Sequence, residues 1–388
     1  MGKPSKKIVH GQPSWRLASD KVELFVTETG GQLGPVTFDR TGRKIRPYSI
    51  APWAEEKTDP KMLPLIKALR GDFFCMPFGG NARPFRGEKY PVHGETANAK
   101  WSYSGQTDCK GCVSLVLSLN TTIRKARVSK FIFLINGQNA VYCAHSISGA
   151  HGPMDLGHHA MLKFPDYPGS GNISTSPFEL GQVNPSPFES PENGGYSQLK
   201  PGARFSDLRS VPTIFGSTAD LSSYPARRGW EDLVLLAAKV SACPESAEGQ
   251  PFAWTAVTFP KERYVWFALK DPRVLRSTIF WISNGGRHYA PWNGRHRNVL
   301  GLEEVTAYFA DGLCESAGKN ALSAQGIPTC VHLNPKRPLL VKYITAVAAV
   351  PRGFDRVAEI EAQTRNVVLK SASGMAVSTP LDAGFLQG

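Results

Sequence analysis

Short apolar runs broken by turn residues recur along almost the whole chain. Residues 22–27 (VELFVT) lead to Gly30-Gly31 and then to a second run at 33–38. Residues 113–119 (VSLVLSL) alternate small polar with apolar positions, the period-2 pattern of a half-buried strand. Residues 131–135 (FIFLI) and 140–147 (AVYCAHSI) flank Asn136-Gly137, a hairpin signal because both turn positions tolerate positive φ. Further strand-like runs stand at 233–240, 252–259, 263–269, 278–283, 304–309 and 339–350. Helical spacing is confined to two places. Met62, Leu63, Leu65, Ile66 and Leu69 recur at helical intervals, with Gly71 as a stop, and 354–363 (FDRVAEIEAQ) has the look of a second short helix. The pattern predicts an all-β, largely antiparallel sandwich or barrel with one or two short helices.

No linker splits the chain, so a single domain over 1–388 is expected. Residues 165–204 are rich in Pro, Gly, Ser and Asn and read as one long loop, either folded over a binding face or inserted without catalytic importance. The tail from about residue 370 reads as loosely ordered. No G-x-G-x-x-G or Walker motif occurs, which argues against a nucleotide-binding α/β enzyme. No apolar run approaches the ~18–20 residues of a membrane span, and the basic start MGKPSKK lacks the apolar core of a secretory signal. A cytoplasmic location with no membrane partner is the expectation.

Composition changes the picture in one respect, charge. The 388 residues carry 45 Lys+Arg against 32 Asp+Glu, a net of +13, which favours anionic partners such as acidic glycans, phosphorylated small molecules or nucleic acid. The basic residues are scattered, and the one dense cluster is Arg287, His288, Arg295, His296 and Arg297. A nucleic-acid binder concentrates its charge in a stripe interleaved with aromatics, so no nucleic-acid partner is expected. Seven cysteines, an odd number, do not read as a disulfide framework but as reduced thiols. Cys109-Lys-Gly-Cys112 has the spacing of a zinc knuckle or redox pair. A second ligand pair at zinc spacing is missing, and a strand-like run rather than a helix follows, so the segment reads as a turn between strands.

Four segments place polar or titratable groups beside strand-like sequence. Gly79-Gly80-Asn81-Ala82-Arg83-Pro84 offers a close-approach backbone and, in Arg83, a planar pair of donors for hydroxyls or an anion. Such an arginine is more often a solvated surface residue. Pro91-Val92-His93-Gly94-Glu95 presents an imidazole near a strand end, where a structural histidine is the commoner outcome. In Asp155-Leu156-Gly157-His158-His159 the two histidines face opposite sides of a strand. That geometry disfavours a metal pair and suits a single general acid. Gly301-Leu302-Glu303-Glu304 offers Glu303 as a general base, or else as a solvated turn residue.

Taken in order, these segments resemble the aldose 1-epimerase (galactose mutarotase-like) superfamily. The opening SDKVELFVTETGGQLGPVTFDRTGRK is similar to that family's first strands, and GGNARP to its arginine-bearing loop. PVHGE is similar to its first histidine motif and DLGHHAMLKF to the segment of its catalytic histidine, which falls on His159. NVLGLEEV resembles its late glutamate motif and assigns the base to Glu303. HLNPKRPLLVKYITAV resembles the closing strand pair. Two departures stand out. Met161 occupies a position commonly aromatic in the family. The sugar-binding aspartate has no clear counterpart, and Asp232 in Trp230-Glu231-Asp232 is taken for it.

The resemblance implies a large antiparallel β-supersandwich with a carbohydrate substrate and no metal or other cofactor. In the implied reaction Glu303 takes the anomeric proton while His159 protonates the ring oxygen. The open aldehyde then rotates and recloses as the other anomer. Arg83 and His93 would hold ring oxygens and hydroxyls, and Trp281 or Trp292 would stack on the sugar or fill the core. Two other readings stay open, a non-catalytic carbohydrate-binding protein on the same fold and a polysaccharide-active enzyme such as a lyase. The basic cluster with Tyr289 motivates the lyase, and equally a charged or modified sugar as the mutarotase substrate.

Overall fold

The structure is a computed structural model that describes residues 6–240 and 252–387; Cys243 lies outside them. Antiparallel strands dominate, joined by turns, with three α-helices of five residues each among the described residues. The strand predicted at 113–119 runs Cys112–Thr121, and those at 131–135 and 140–147 run Ala126–Ile135 and Ala140–Ser148. Alternate residues of Ala126–Ile135 are buried, so the period-2 pattern translates directly into one core face. The first predicted helix is present as Pro64–Ala68, opened by a proline in its first turn.

Other segments differ from the sequence expectation. Residues 354–363 hold no helix: Val357–Ala362 is a strand paired to Asn366–Ser371. A register shift between Val357 and Glu359 adds one residue to the strand. Buried Val357 and Ile360 therefore share a face at a spacing of three, which imitates a helix. The stretch 165–204 is not one loop; it contains the strands Gly171–Thr175 and Phe178–Val183 and a 3₁₀ turn at Pro191–Asn193. The tail beyond 370 is ordered in a three-stranded sheet, where Ala376–Pro380 pairs with Asn366–Ser371. The run expected at 304–309 is a strand shifted earlier, Val299–Thr306.

The chain divides into two compact units, each assembled from separate stretches. One comprises Met1–Ala160, Val274–Arg276 and Glu304–Tyr343; the other Met161–Arg273, Ser277–Glu303 and Ile344–Gly388. The boundaries fall inside the strands Leu156–Lys163, Val299–Thr306 and Leu339–Ala349, which is why no linker composition marks them. The first unit contains a four-stranded meander from Lys7–Val9 to Leu33–Thr37 and the successive hairpins of 102–148. Its core includes Trp15, Leu24, Phe74 and Ile132. In the second unit Phe178–Val183, Trp230–Ala238 and Ser277–Asn284 are neighbours in one sheet, and Gly171–Thr175, Ala253–Phe259 and Tyr264–Lys270 in another. Leu235, Val257, Trp266 and Phe280 are among its core residues.

Candidate functional site

In the second unit, strand register sorts the polar residues. Trp230–Ala238 runs antiparallel to Ser277–Asn284, with Glu231 opposite Ser283, Asp232 opposite Ile282 and Leu233 opposite Trp281. Directly opposed residues share a face, so Glu231, Ser283 and Trp281 lie on one side and Asp232 on the other. The Glu231 carboxylate accepts hydrogen bonds from Trp281 Nε1 at 3.1 Å and Ser283 Oγ at 2.9 Å. Ser283 Oγ is also 2.7 Å from His296 Nδ1. The Arg287 guanidinium donates to Glu189 at 2.6 Å and stands 3.9 Å from Glu231. It lies over the rings of Trp292 at 4.7 Å, Trp281 at 5.3 Å and Phe188 at 5.3 Å. His296 stacks on Trp281 with centroids 5.5 Å apart.

Glu303 joins this face from Val299–Thr306. A side chain at Gly301 would put its Cβ 2.7 Å from Glu303 Oε1 and 2.9 Å from Trp281 Cβ. The Glu303 carboxyl therefore lies over Gly301, in space that any other residue there would fill. Glu303 is 2% exposed. Burial pushes its carboxyl well above the ordinary range, and the positive charge of Arg287 draws it only part of the way back. Burial likewise raises Glu231 to about 7 against the pull of Arg287 and of its two hydrogen bonds. It depresses His296 to about 3, with Arg287 adding to the effect. The arrangement sets two buried carboxyls of raised proton affinity, Glu231 and Glu303, beside a fixed cation and two indole rings.

In the first unit the two adjacent histidines point to opposite sides of Leu156–Lys163, as the strand period requires. His158 Nδ1 is 2.9 Å from Asp72 Oδ2, and its ring stacks on Tyr343 with centroids 4.3 Å apart. His159 is bonded through its backbone to Phe73 O at 2.9 Å and stacks on the Phe73 ring at 4.5 Å. Its imidazole meets that of His93 edge to face at 5.0 Å. His93, held at φ +57° before the helix Gly94–Asn98, is fixed to the glycine loop twice. Its backbone N–H donates to Gly79 O at 2.7 Å, and its Nδ1 accepts from Gly79 N at 3.3 Å. Asn81 completes the loop by accepting from Leu313 N at 3.0 Å.

Of the residues singled out from sequence, His159 and His93 are neighbours in the first unit, and Trp281 and Glu303 in the second. Arg83 turns outward: its side chain is 68% exposed and ion-paired to Glu315. Asp232, taken as the sugar-binding aspartate, faces away from Trp281. Its carboxylate anchors the backbone N–H groups of Gln198 and Leu199 at 3.1 and 2.9 Å. Glu231, one residue earlier, holds the position on the Glu303 face and was missed. Arg287 and His296, read from sequence as part of a basic cluster, belong to the carboxylate site instead.

No protein-family model and no curated protein matches the sequence. Among solved structures the chain is similar to a galactose mutarotase-like protein from Clostridium acetobutylicum, at 11% identity and a TM-score of 0.60 over 89% of this chain and 98% of that one. It is also similar to a galactose mutarotase related enzyme from Lactobacillus acidophilus, at 13% identity and a TM-score of 0.51 over 87% of this chain and 99% of that one. The all-β fold is therefore galactose mutarotase-like.

Proposed function

We propose that the chain is an isomerase of the aldose 1-epimerase type, interconverting the α and β anomers of a sugar by general acid–base ring opening. The reaction needs a base to remove the proton of the anomeric hydroxyl and an acid to protonate the ring oxygen. The C1–O5 bond breaks, the open aldehyde turns about C1–C2, and reclosure with the reverse proton transfers gives the other anomer. Glu303 is assigned the base, with Trp281 stacking on the apolar side of the ring. Neither a metal nor a covalent intermediate enters these steps. The observation that carries the reading is the Glu303 carboxyl, buried on Trp281 over Gly301 and held above its ordinary proton affinity. A carboxylate raised in this way is a stronger base than an exposed one. The galactose mutarotase-like fold supports it, and the net charge of +13 favours sugars bearing an anionic group.

The test is anomer exchange followed by NMR across neutral, phosphorylated and uronic sugars. Glu303→Gln loses ~10²–10⁴-fold of the acceleration over the spontaneous rate. Because Glu303 acts as a base only when ionised, activity rises with pH, with a midpoint above the ordinary carboxylate range. Unchanged exchange in Glu303→Gln removes that residue from the mechanism. Sugar binding without acceleration over the whole panel turns the reading to a non-catalytic carbohydrate-binding protein.

A further inference from the structure

The hairpin of Ser102–Cys109 and Cys112–Thr121 closes through Lys110 and Gly111, and the register sets Cys109 directly opposite Cys112. Residues opposed in this way project from the same face. Their Cα atoms stand about 4.5–5.5 Å apart in an antiparallel ladder, inside the ~4.4–6.8 Å that a disulfide spans. Gly111 supplies the turn at φ +92° with no other atom near the place of a Cβ, and its carbonyl accepts from Asn136 N at 2.9 Å. The turn is open to solvent on one side and braced on the other. Cys109 is exposed and Cys112 half-buried, whereas Cys75 and Cys143 are buried. Among the described residues no group of three or more His, Cys, Asp or Glu could hold a metal ion, so the pair does not belong to a larger chelate.

We propose that Cys109 and Cys112 form a thiol–disulfide exchange site that takes a low-molecular-weight disulfide of the glutathione class. The Cys109 thiolate attacks one sulfur of the small disulfide, forming a mixed disulfide and releasing one thiolate. The Cys112 thiolate then attacks the Cys109 sulfur, closing the intramolecular bond and releasing the second. Two protein thiols are oxidised and one small disulfide is reduced, the two protons given up by Cys109 and Cys112 being taken up by the two released thiolates to give two small thiols. Burial and the neighbouring Cys109 raise the Cys112 thiol above its ordinary range, consistent with Cys109 attacking first. The site is independent of the sugar chemistry.

The full chain is equilibrated with mixtures of reduced and oxidised glutathione, then alkylated and read by intact mass and peptide mapping. The expected product has lost two hydrogens, mapped to the 109–112 peptide and restored by dithiothreitol. Cys112→Ser instead retains one glutathione on Cys109, and Cys109→Ser forms neither product at this turn. Far-UV spectra of both variants should match the parent. Two free thiols at 109 and 112 across every mixture, or a persistent glutathione adduct on Cys109 in the parent, overturns the proposal.

Discussion

Glu303 and Gly301 work as a pair, because the carboxyl occupies the volume that any side chain at 301 would need. An alanine methyl there cannot swing aside, being fixed to the backbone, and it meets Trp281 Cβ, which is equally fixed, at 2.9 Å. The strain falls on Glu303 or on the strand. Gly301→Ala is expected to destabilise the fold by about 1–3 kcal/mol, the range for overpacking a filled site, and to displace the carboxyl, abolishing accelerated anomerisation. The control is Gly105→Ala, at another strand glycine with nothing within 4 Å of the added methyl, which should shift the urea midpoint far less. Equal shifts in the two variants would show that Gly301 acts through chain entropy and not through the space it leaves for Glu303.

At the scale of elements, Arg287 fastens the 285–297 connection to the sheet. It bridges Glu189 at 2.6 Å and Glu231 at 3.9 Å across the indoles of Trp281 and Trp292. Removing the cation leaves buried carboxylates without their counter-charge, a loss on the order of 3–5 kcal/mol. Arg287→Met should therefore lower stability at pH 8. At pH 5 the loss should be much smaller, since Glu231, already raised to about 7, then binds a proton and needs no partner. Urea unfolding at the two pH values measures the difference; an equal loss at both would mean that Arg287 matters through packing alone. This element also marks where sequence reading ends. Strands with their own alternation, such as 113–119, were legible, and so was the opposed placement of His158 and His159, because both depend only on local period. The choice between Glu231 and Asp232 depends on which of them stands opposite Ser283, some fifty positions away, and no local pattern carries that register. The same limit explains Gly171–Thr175 and Phe178–Val183. They are short, and they are strands because Ala253–Phe259 and Trp230–Ala238 pair with them.

Across the molecule, buried titratable groups of both signs set a pH profile of stability. Burial raises five carboxyls: Asp311 to about 6, Glu231 and Asp232 to about 7, Asp155 to about 8, and Glu303 well above its ordinary range. Each holds a proton in the folded chain that the unfolded chain has released, so each removes stability as pH climbs from its unfolded value through its folded one. Burial depresses His145 and His296; they bind fewer protons folded than unfolded and add stability as pH climbs to about 6.5. Lys130, lowered by burial to about 8, adds stability between there and its ordinary value of 10.5. Below pH 6.5 the histidines and carboxyls oppose one another. Between about 6.5 and 8 the carboxyls titrate without that opposition, each contributing up to about 1.4 kcal/mol per pH unit. Urea midpoints should accordingly fall from pH 6.5 to 8. Asp155→Asn, which keeps the shape and discards the titration, should flatten part of the fall, and Lys130→Met should remove the share of stability that Lys130 adds above pH 8. Stability that rises steadily from pH 6.5 to 8 would mean that these carboxyls are ionised in the folded chain, and with that the case for Glu303 as a base strengthened by burial would be lost.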